Sequence, residues 1–161
     1  MRISKVNRNP NSGKVTIVYE TIENEGKDTI EHELHTGDEP APSFVKALEA
    51  LRPEIETLAE LPEGYLSDVR GITVHRDEED PDSEFTVTYT ATKTLGDSRS
   101  PLVLNTPAVV PPTPKGVKAV LAEAEAFVRG RRAQQTLPMA GPEAEQPKSA
   151  KPKGAAAAPA V

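Results

Sequence analysis

The sequence contains no cysteine, and this absence excludes several kinds of chemistry. The chain can form no disulfide, no thiolate zinc site and no cysteine nucleophile. Tryptophan is also absent, and only three Phe and three Tyr occur among 161 residues, so we expect a core of Val, Ile, Leu and Ala. No apolar run approaches the roughly 18 residues of a membrane-spanning helix, and the N-terminus lacks the apolar stretch of a signal peptide. We therefore expect a soluble, cytoplasmic protein.

Positive charge is scarce relative to negative charge. Nineteen Lys and Arg stand against 25 Asp and Glu, which gives a formal net charge of −6. Broad coating of nucleic acid needs many cations to displace counterions from phosphate. The composition therefore argues against it, although a local basic patch remains open.

The length predicts one domain and a tail. A chain of 161 residues corresponds to about one domain. From residue 138 onward the sequence is almost entirely Ala, Pro, Gly, Lys, Glu, Gln and Ser, which bury too little apolar surface to offset chain entropy. We predict a folded domain over residues 1–135 and a disordered Ala/Pro/Lys-rich tail over 136–161.

Alternating apolar and polar residues predict two hairpins and additional edge strands. The alternation is clearest after residue 84, where Phe85, Val87, Tyr89 and Ala91 fall on one side and threonines on the other. A polar strand is expected at a sheet edge. The predicted strands are residues 2–6 and 14–20 as a first hairpin, 29–36 as an edge strand, 66–76 and 83–95 as a second hairpin, and 101–104 as a further edge strand.

Two amphipathic helices are predicted. The first begins after Ser43, whose hydroxyl is expected to cap it. Its apolar stripe is Phe44, Leu48, Leu51, Ile55 and Leu58, and it ends near residues 61–62. Pro53 lies inside this pattern and predicts a kink or a restart, because proline removes a backbone hydrogen bond.

The second helix has a clear start and a weak end. Thr113 is suited to cap it and Pro114 to occupy its first position, while Gly130 is expected to fray it before Arg131. The apolar stripe consists of Val117, Val120, Leu121, Ala124, Phe127 and Val128. Together the patterns predict an α+β fold in the order β-β-β-α-β-β-β-α, mostly antiparallel, with both helices packed on one face of the sheet.

No catalytic or metal-binding motif emerges. The sequence has no Gly-x-Ser-x-Gly elbow and no phosphate-cradling glycine loop after a strand. His32 and His35 are three residues apart, so on a strand they face opposite ways and do not share a metal ion. The acidic turn at residues 77–82 lacks the spacing of a calcium loop and is expected to be a solvated hairpin tip. We predict no enzymatic activity, no cofactor and no metal.

One local cluster of positive charge stands out, namely Arg129, Arg131 and Arg132 at the end of the second helix. These guanidinium groups can grip phosphate or a partner's carboxylates. The alternative is structural, because cations at a helix C-terminus interact favourably with its free carbonyl groups and dipole. The structural interpretation needs no partner and is favoured. The three arginines remain the candidate contact site, and tail lysines would extend a weak nucleic-acid contact.

Several segments resemble small uncharacterised accessory proteins of tailed bacteriophages. The resemblance covers about residues 1–135 and carries no catalytic residue with it. It implies a phage-encoded protein of the host cytoplasm, often encoded beside DNA replication and recombination functions. The segments are Arg-Ile-Ser-Lys-Val at 2–6, Ser-Phe-Val-Lys-Ala-Leu-Glu-Ala-Leu at 43–51, Gly-Ile-Thr-Val at 71–74, Ser-Pro-Leu-Val-Leu-Asn-Thr-Pro at 100–107 and Glu-Ala-Glu-Ala-Phe-Val-Arg-Gly-Arg-Arg-Ala-Gln at 123–134.

Three functions are compatible with these features. The leading hypothesis is a non-enzymatic accessory or binding protein with an unknown protein or small-molecule partner and no membrane contact. The second is a DNA replication or recombination accessory that contacts single-stranded nucleic acid, or its binding protein, through the second helix and the tail. The third is a protein that sequesters a nucleotide signal of host defence, which requires a concave pocket with convergent polar groups.

Overall fold

The chain folds into one antiparallel sheet with helices on one face. The structure is a computed structural model, and it describes residues 1–77, 79–80, 84–97 and 100–133. Its strands are β1 (Arg2–Arg8), β2 (Val15–Glu23), β3 (Asp28–Thr36), β4 (Asp68–His75), β5 (Thr86–Lys93) and β6 (Leu102–Asn105). Its helices are α1 (Pro42–Glu49), α2 (Arg52–Leu58) and α3 (Pro114–Val128). The predicted α+β class and the order of elements are confirmed.

The sheet joins two three-stranded meanders through its two central strands. The spatial order is β3-β2-β1-β4-β5-β6, and neighbouring strands are antiparallel. Val6 lies opposite Ile72 where β1 meets β4. Both predicted hairpins form, and β3 and β6 lie at the edges as expected. The pairing of β1 with β4 connects residues far apart in the chain, and local patterns do not reveal it.

The first predicted helix is two helices, α1 and α2, with a break after Glu49. Pro53 lies in the first turn of α2, where its missing N–H removes no helical hydrogen bond. The predicted restart at this proline is therefore confirmed. Leu48, Leu51 and Ile55 stay on one buried face across the break, so the apolar stripe is preserved.

The predicted cap at Ser43 is wrong. Pro42 begins α1 and Ala41 is its N-cap residue, with no side-chain capping bond. The helix starts earlier than predicted because proline, with its fixed φ, suits the first turn. The Ser43 hydroxyl instead donates a hydrogen bond of 2.7 Å to Glu123 of α3. Thr113 is the N-cap residue of α3, again without a side-chain capping bond, and Pro114 is its first residue as predicted.

Gly130 ends α3 in an ordered way, contrary to the expected fraying. Its φ of +111° lies in the left-handed region. The N–H of Gly130 donates to the carbonyl of Phe127, and that of Arg131 donates to Ala126, at 3.0 and 2.9 Å. These two hydrogen bonds form a Schellman motif, which satisfies carbonyl groups at a helix end. The predicted domain boundary near residue 135 and the tail beyond it lie outside the described residues.

The core lies between the helices and one face of the sheet. The apolar stripes of α1, α2 and α3 meet Val6 of β1, Ile17 of β2 and Ile72 of β4. Tyr89 of β5 is fully buried, and its hydroxyl donates a hydrogen bond to Glu54 of α2. No helix among the described residues covers the other face of the sheet, so side chains of different strands remain accessible to a ligand there.

Candidate functional site: a polar cleft on the open face of the sheet

The open face is polar because alternate strand residues point away from the core. Lys5 of β1 lies opposite Thr73 of β4 on one side and Val18 of β2 on the other. Thr73 in turn lies opposite Thr88 of β5. The Phe and Tyr side chains within the described strands are Tyr19 and Tyr89, and both lie on the helix-covered face, opposite Ile3 and Ile72. A stacking platform for bases is therefore missing from the described part of this face.

A cleft of about 410 Å³ lies at one end of this face. It forms where β1 begins and β4 ends, beside the β2–β3 hairpin. Antiparallel pairing of β1 with β4 brings the first residues of one strand next to the last residues of the other. The lining residues are Arg2, Ser4, Glu20, Thr29, Val74, His75, Arg76 and Asp77.

Two guanidinium groups converge in this cleft, and they are held differently. Arg2 forms an ion pair with Glu20, its cross-strand neighbour on β2, at 3.1 Å. Arg76 donates a hydrogen bond of 2.8 Å to the backbone carbonyl of Ile3. Among the described residues Arg76 has no carboxylate within ion-pair distance. Arg76 therefore brings to the cleft a guanidinium without a direct ion pair among the described residues, while Glu20 and Asp77 also line the cleft.

The pKa of Arg76 is lowered by its surroundings in the cleft. Partial burial lowers the pKa of the Arg76 guanidinium, and the positive charge of nearby Arg2 lowers it further, while Glu20 opposes both effects. Arginine remains charged at neutral pH regardless. Two neighbouring cations and partial loss of water favour an incoming anion, since an anion offsets both the repulsion and the desolvation.

Three other polar side chains of the cleft form hydrogen bonds within the protein. His75 Nε2 lies 3.1 Å from the Thr88 hydroxyl on the neighbouring strand. A register shift between Ile3 and Lys5 leaves Ser4 at a β-bulge, and its hydroxyl donates to the Val18 carbonyl at 3.2 Å. Bulges commonly re-aim side chains near functional sites. Asp77 accepts a hydrogen bond from the N–H of Glu79 at 2.9 Å.

The arginine cluster predicted from the sequence lies elsewhere, at the C-terminal end of α3. Arg129 pairs with Glu125 at 2.8 Å and Arg131 with Glu123 at 3.4 Å. The Arg132 guanidinium lies 3.7 Å from the centre of the Phe127 ring. It also donates to Asp38 at 3.1 Å. All three predicted contact residues thus have carboxylate partners within the chain, which supports the structural interpretation of the cluster.

A second cavity borders that cluster. It measures about 550 Å³ and is more open than the cleft around Arg76. Its two arginines, Arg131 and Arg132, are the ones that Glu123 and Asp38 already neutralise. A ligand there would have to displace an internal carboxylate. The cleft around Arg76 is therefore the stronger candidate.

Two more arginines lack ion-pair partners among the described residues. Arg8 ends β1, and Arg70 lies at a register shift in β4. The Nε atom of each is buried without a hydrogen-bond partner. Neither residue lines the cleft. We assign them no role, because no described cavity gathers them with other polar groups.

The histidines lie on opposite faces of β3, as their spacing predicted. His32 stacks on Tyr19, with ring centroids 4.9 Å apart, and its Nε2 lies 2.8 Å from the Thr21 hydroxyl. His35 lies on the open face, 3.1 Å from Glu33. No group of three or more possible metal ligands occurs among residues 1–77, 79–80, 84–97 and 100–133.

The chain matches no known family model, no curated protein and no solved structure. The argument for function therefore rests on the geometry of the site. A separate observation is that, in the described part of the chain, no helix is long and apolar enough to cross a membrane.

Sequence reasoning missed this cleft because its residues come from distant parts of the chain. Arg2 and Arg76 each stand alone among local residues of mixed charge. The three arginines after residue 128 are clustered in sequence and drew attention for that reason. The signal that would have located the cleft is the β1–β4 pairing, since it places the start of β1 beside the end of β4.

Proposed function

We propose that the protein is a non-enzymatic binding protein, and that the cleft around Arg76 holds a phosphate group of its ligand. The observation that carries this proposal is the partly buried Arg76, which lies beside Arg2 with no carboxylate partner among the described residues. The proposal follows the leading expectation from the sequence and adds a location and a ligand chemistry.

Phosphate suits this arrangement better than a carboxylate does. A guanidinium donates two parallel hydrogen bonds to a phosphate, and two guanidiniums can share its oxygens. A dianion also offsets more of the repulsion between Arg2 and Arg76 than a monoanion. Glu20 limits the strength of binding, because its carboxylate already neutralises part of the Arg2 charge.

The two alternative functions predicted from the sequence require different features of the structure. A protein that sequesters a nucleotide signal requires a concave polar pocket, and the cleft has that form. A nucleic-acid accessory that uses Arg129, Arg131 and Arg132 requires these residues to exchange their internal carboxylates for phosphates. The origin in tailed bacteriophages and the cytoplasmic location stay predictions.

The experiment is calorimetric titration of the full chain with inorganic phosphate at low salt. We expect saturable binding that weakens at least about tenfold in Arg76→Gln, because two charge-assisted hydrogen bonds are lost. Arg129→Gln is the matched control, since it removes one arginine charge far from the cleft. The proposal is overturned if the wild-type protein shows no binding, or if both variants weaken it equally.

A further inference from the structure

The cleft offers hydrogen-bond acceptors beside its cations. Glu20 uses Oε1 for Arg2, and Asp77 uses Oδ1 for the N–H of Glu79. The second oxygen of each carboxylate has no hydrogen-bond partner among the described residues. The hydroxyl of Thr29 also lacks one, and that of Ser4 keeps its acceptor lone pairs. The lining is therefore mixed, with donors and acceptors in one concavity.

A bare polyanion does not match this lining. The two guanidiniums attract phosphate, but the carboxylates of Glu20 and Asp77 repel any further negative charge that enters the cleft. Carboxylate oxygens accept hydrogen bonds well from hydroxyl groups. The lining thus favours a ligand with one phosphate group and several neutral hydroxyl groups.

A nucleobase has little to stack on in this cleft. His75 carries the only ring among the lining residues, and that ring contacts Thr88 of the neighbouring strand. Tyr19, the neighbour of Glu20 in the chain, stacks on His32 on the helix-covered face. Base–aromatic stacking contributes about 1–3 kcal/mol where a platform exists. A nucleotide would gain little from its base here.

From these three features we infer that the ligand is a phosphorylated sugar or polyol. This inference rests on the proposed function, because the same two arginines hold the phosphate. The size of the cleft agrees: about 410 Å³ lies in the lower part of the usual range for ligand pockets, about 300–1,000 Å³. Hydroxyl groups of the sugar then donate to Glu20 and Asp77.

The test compares ribose 5-phosphate with its parts, using calorimetry on the full chain at one salt concentration. We expect ribose 5-phosphate to bind about tenfold more tightly than both inorganic phosphate and ribose, because it adds two hydrogen bonds to carboxylates. Adenosine monophosphate should bind no more tightly than ribose 5-phosphate. Equal affinity for inorganic phosphate and ribose 5-phosphate overturns the inference, as does a tenfold preference for the nucleotide.

Glu20→Gln isolates the contribution of the hydroxyl groups. Removal of this charge should strengthen the binding of inorganic phosphate, while the ratio of the two affinities falls toward one. Glu33→Gln removes a carboxylate from the same face outside the cleft lining and should leave the ratio unchanged. If inorganic phosphate does not bind, the proposed function itself fails. If it binds and the sugar adds nothing, only this inference fails.

Discussion

Gly71 of β4 and Val6 of β1 approach each other too closely for any other residue at position 71. A Cβ atom on Gly71 would lie 1.8 Å from the carbonyl oxygen of Val6, a backbone atom that cannot move without disturbing the strand. Gly71 lies opposite Asn7 and Val6 lies opposite Ile72, so this contact lies at the junction of the two meanders. The close approach thus belongs to the pairing that also creates the cleft.

Gly71→Ala should lower the free energy of unfolding by about 3 kcal/mol or more, at the upper end for overpacking in a core. Gly37→Ala is the control, since a Cβ there meets no atom within 4 Å. It should change stability by less than about 0.5 kcal/mol. Urea denaturation measures both. Equal midpoints for the two variants would show that β1 and β4 are not so closely paired.

Glu60 ends α2 with a left-handed backbone, which favours glycine. Its φ is +57°, and the N–H of Leu61 donates to the carbonyl of Glu56, so the residue holds the position that Gly130 holds after α3. Glu60→Gly should stabilise the protein by about 0.5–1 kcal/mol, because strain is relieved at a modest cost in chain entropy. Glu60→Ala keeps the Cβ and should not stabilise. A gain of the same size in both variants would instead indicate an effect of charge.

Glu56 is expected to contribute to the acid sensitivity of the fold. Its side chain is buried, and its carboxylate accepts hydrogen bonds from the N–H groups of Leu66 and Gly64 at 2.9 and 3.1 Å. The bond from Leu66 is the largest cause that lowers the pKa of Glu56. Burial opposes it, while the Gly64 bond and the Arg52 charge add to it.

Because the pKa is lower in the folded state, the contribution of Glu56 is complete above the unfolded value, about 4.3. It is lost as pH falls through the folded pKa. Glu56→Gln should destabilise the protein at neutral pH and make stability less dependent on pH below about 4.3. Glu63→Gln removes an exposed carboxylate from the same loop region and is the control for the loss of one charge. Denaturation midpoints between neutral and acidic pH measure this, and parallel profiles for wild type and Glu56→Gln would contradict it.

Arg132 should matter for stability more than Arg129. The Arg132 guanidinium covers the Phe127 ring and bonds Asp38, so it ties α3 to the segment before α1. We expect Arg132→Ala to lower the free energy of unfolding by about 1–2 kcal/mol. Arg129→Ala loses an exposed pair within one helix and should cost about 0.5 kcal/mol or less. Thermal unfolding of both variants tests the ranking, and the reverse order would contradict it.

Local sequence patterns predicted the elements well and the site poorly. The alternation through Val87, Tyr89 and Ala91 predicted a strand with one buried face, and all three residues are buried. Pro53 predicted a restart of the helix because its ring nitrogen carries no N–H for a helical hydrogen bond. By contrast, Ser43 has the right chemistry for a cap but bonds Glu123 of α3 instead. Its partner lies 80 residues away in the chain.

The elements, their order and their buried sides follow from side-chain periodicity, proline geometry and turn residues, which act over a few positions. Which strands pair, and which charged groups form ion pairs, depends on the folded arrangement of distant segments. Arg129, Arg131 and Arg132 are clustered in sequence, yet each finds a carboxylate in the fold. Arg76 is isolated in sequence, yet long-range pairing of β1 with β4 sets it beside Arg2 without a direct ion pair among the described residues, because ion pairing depends on distance in space.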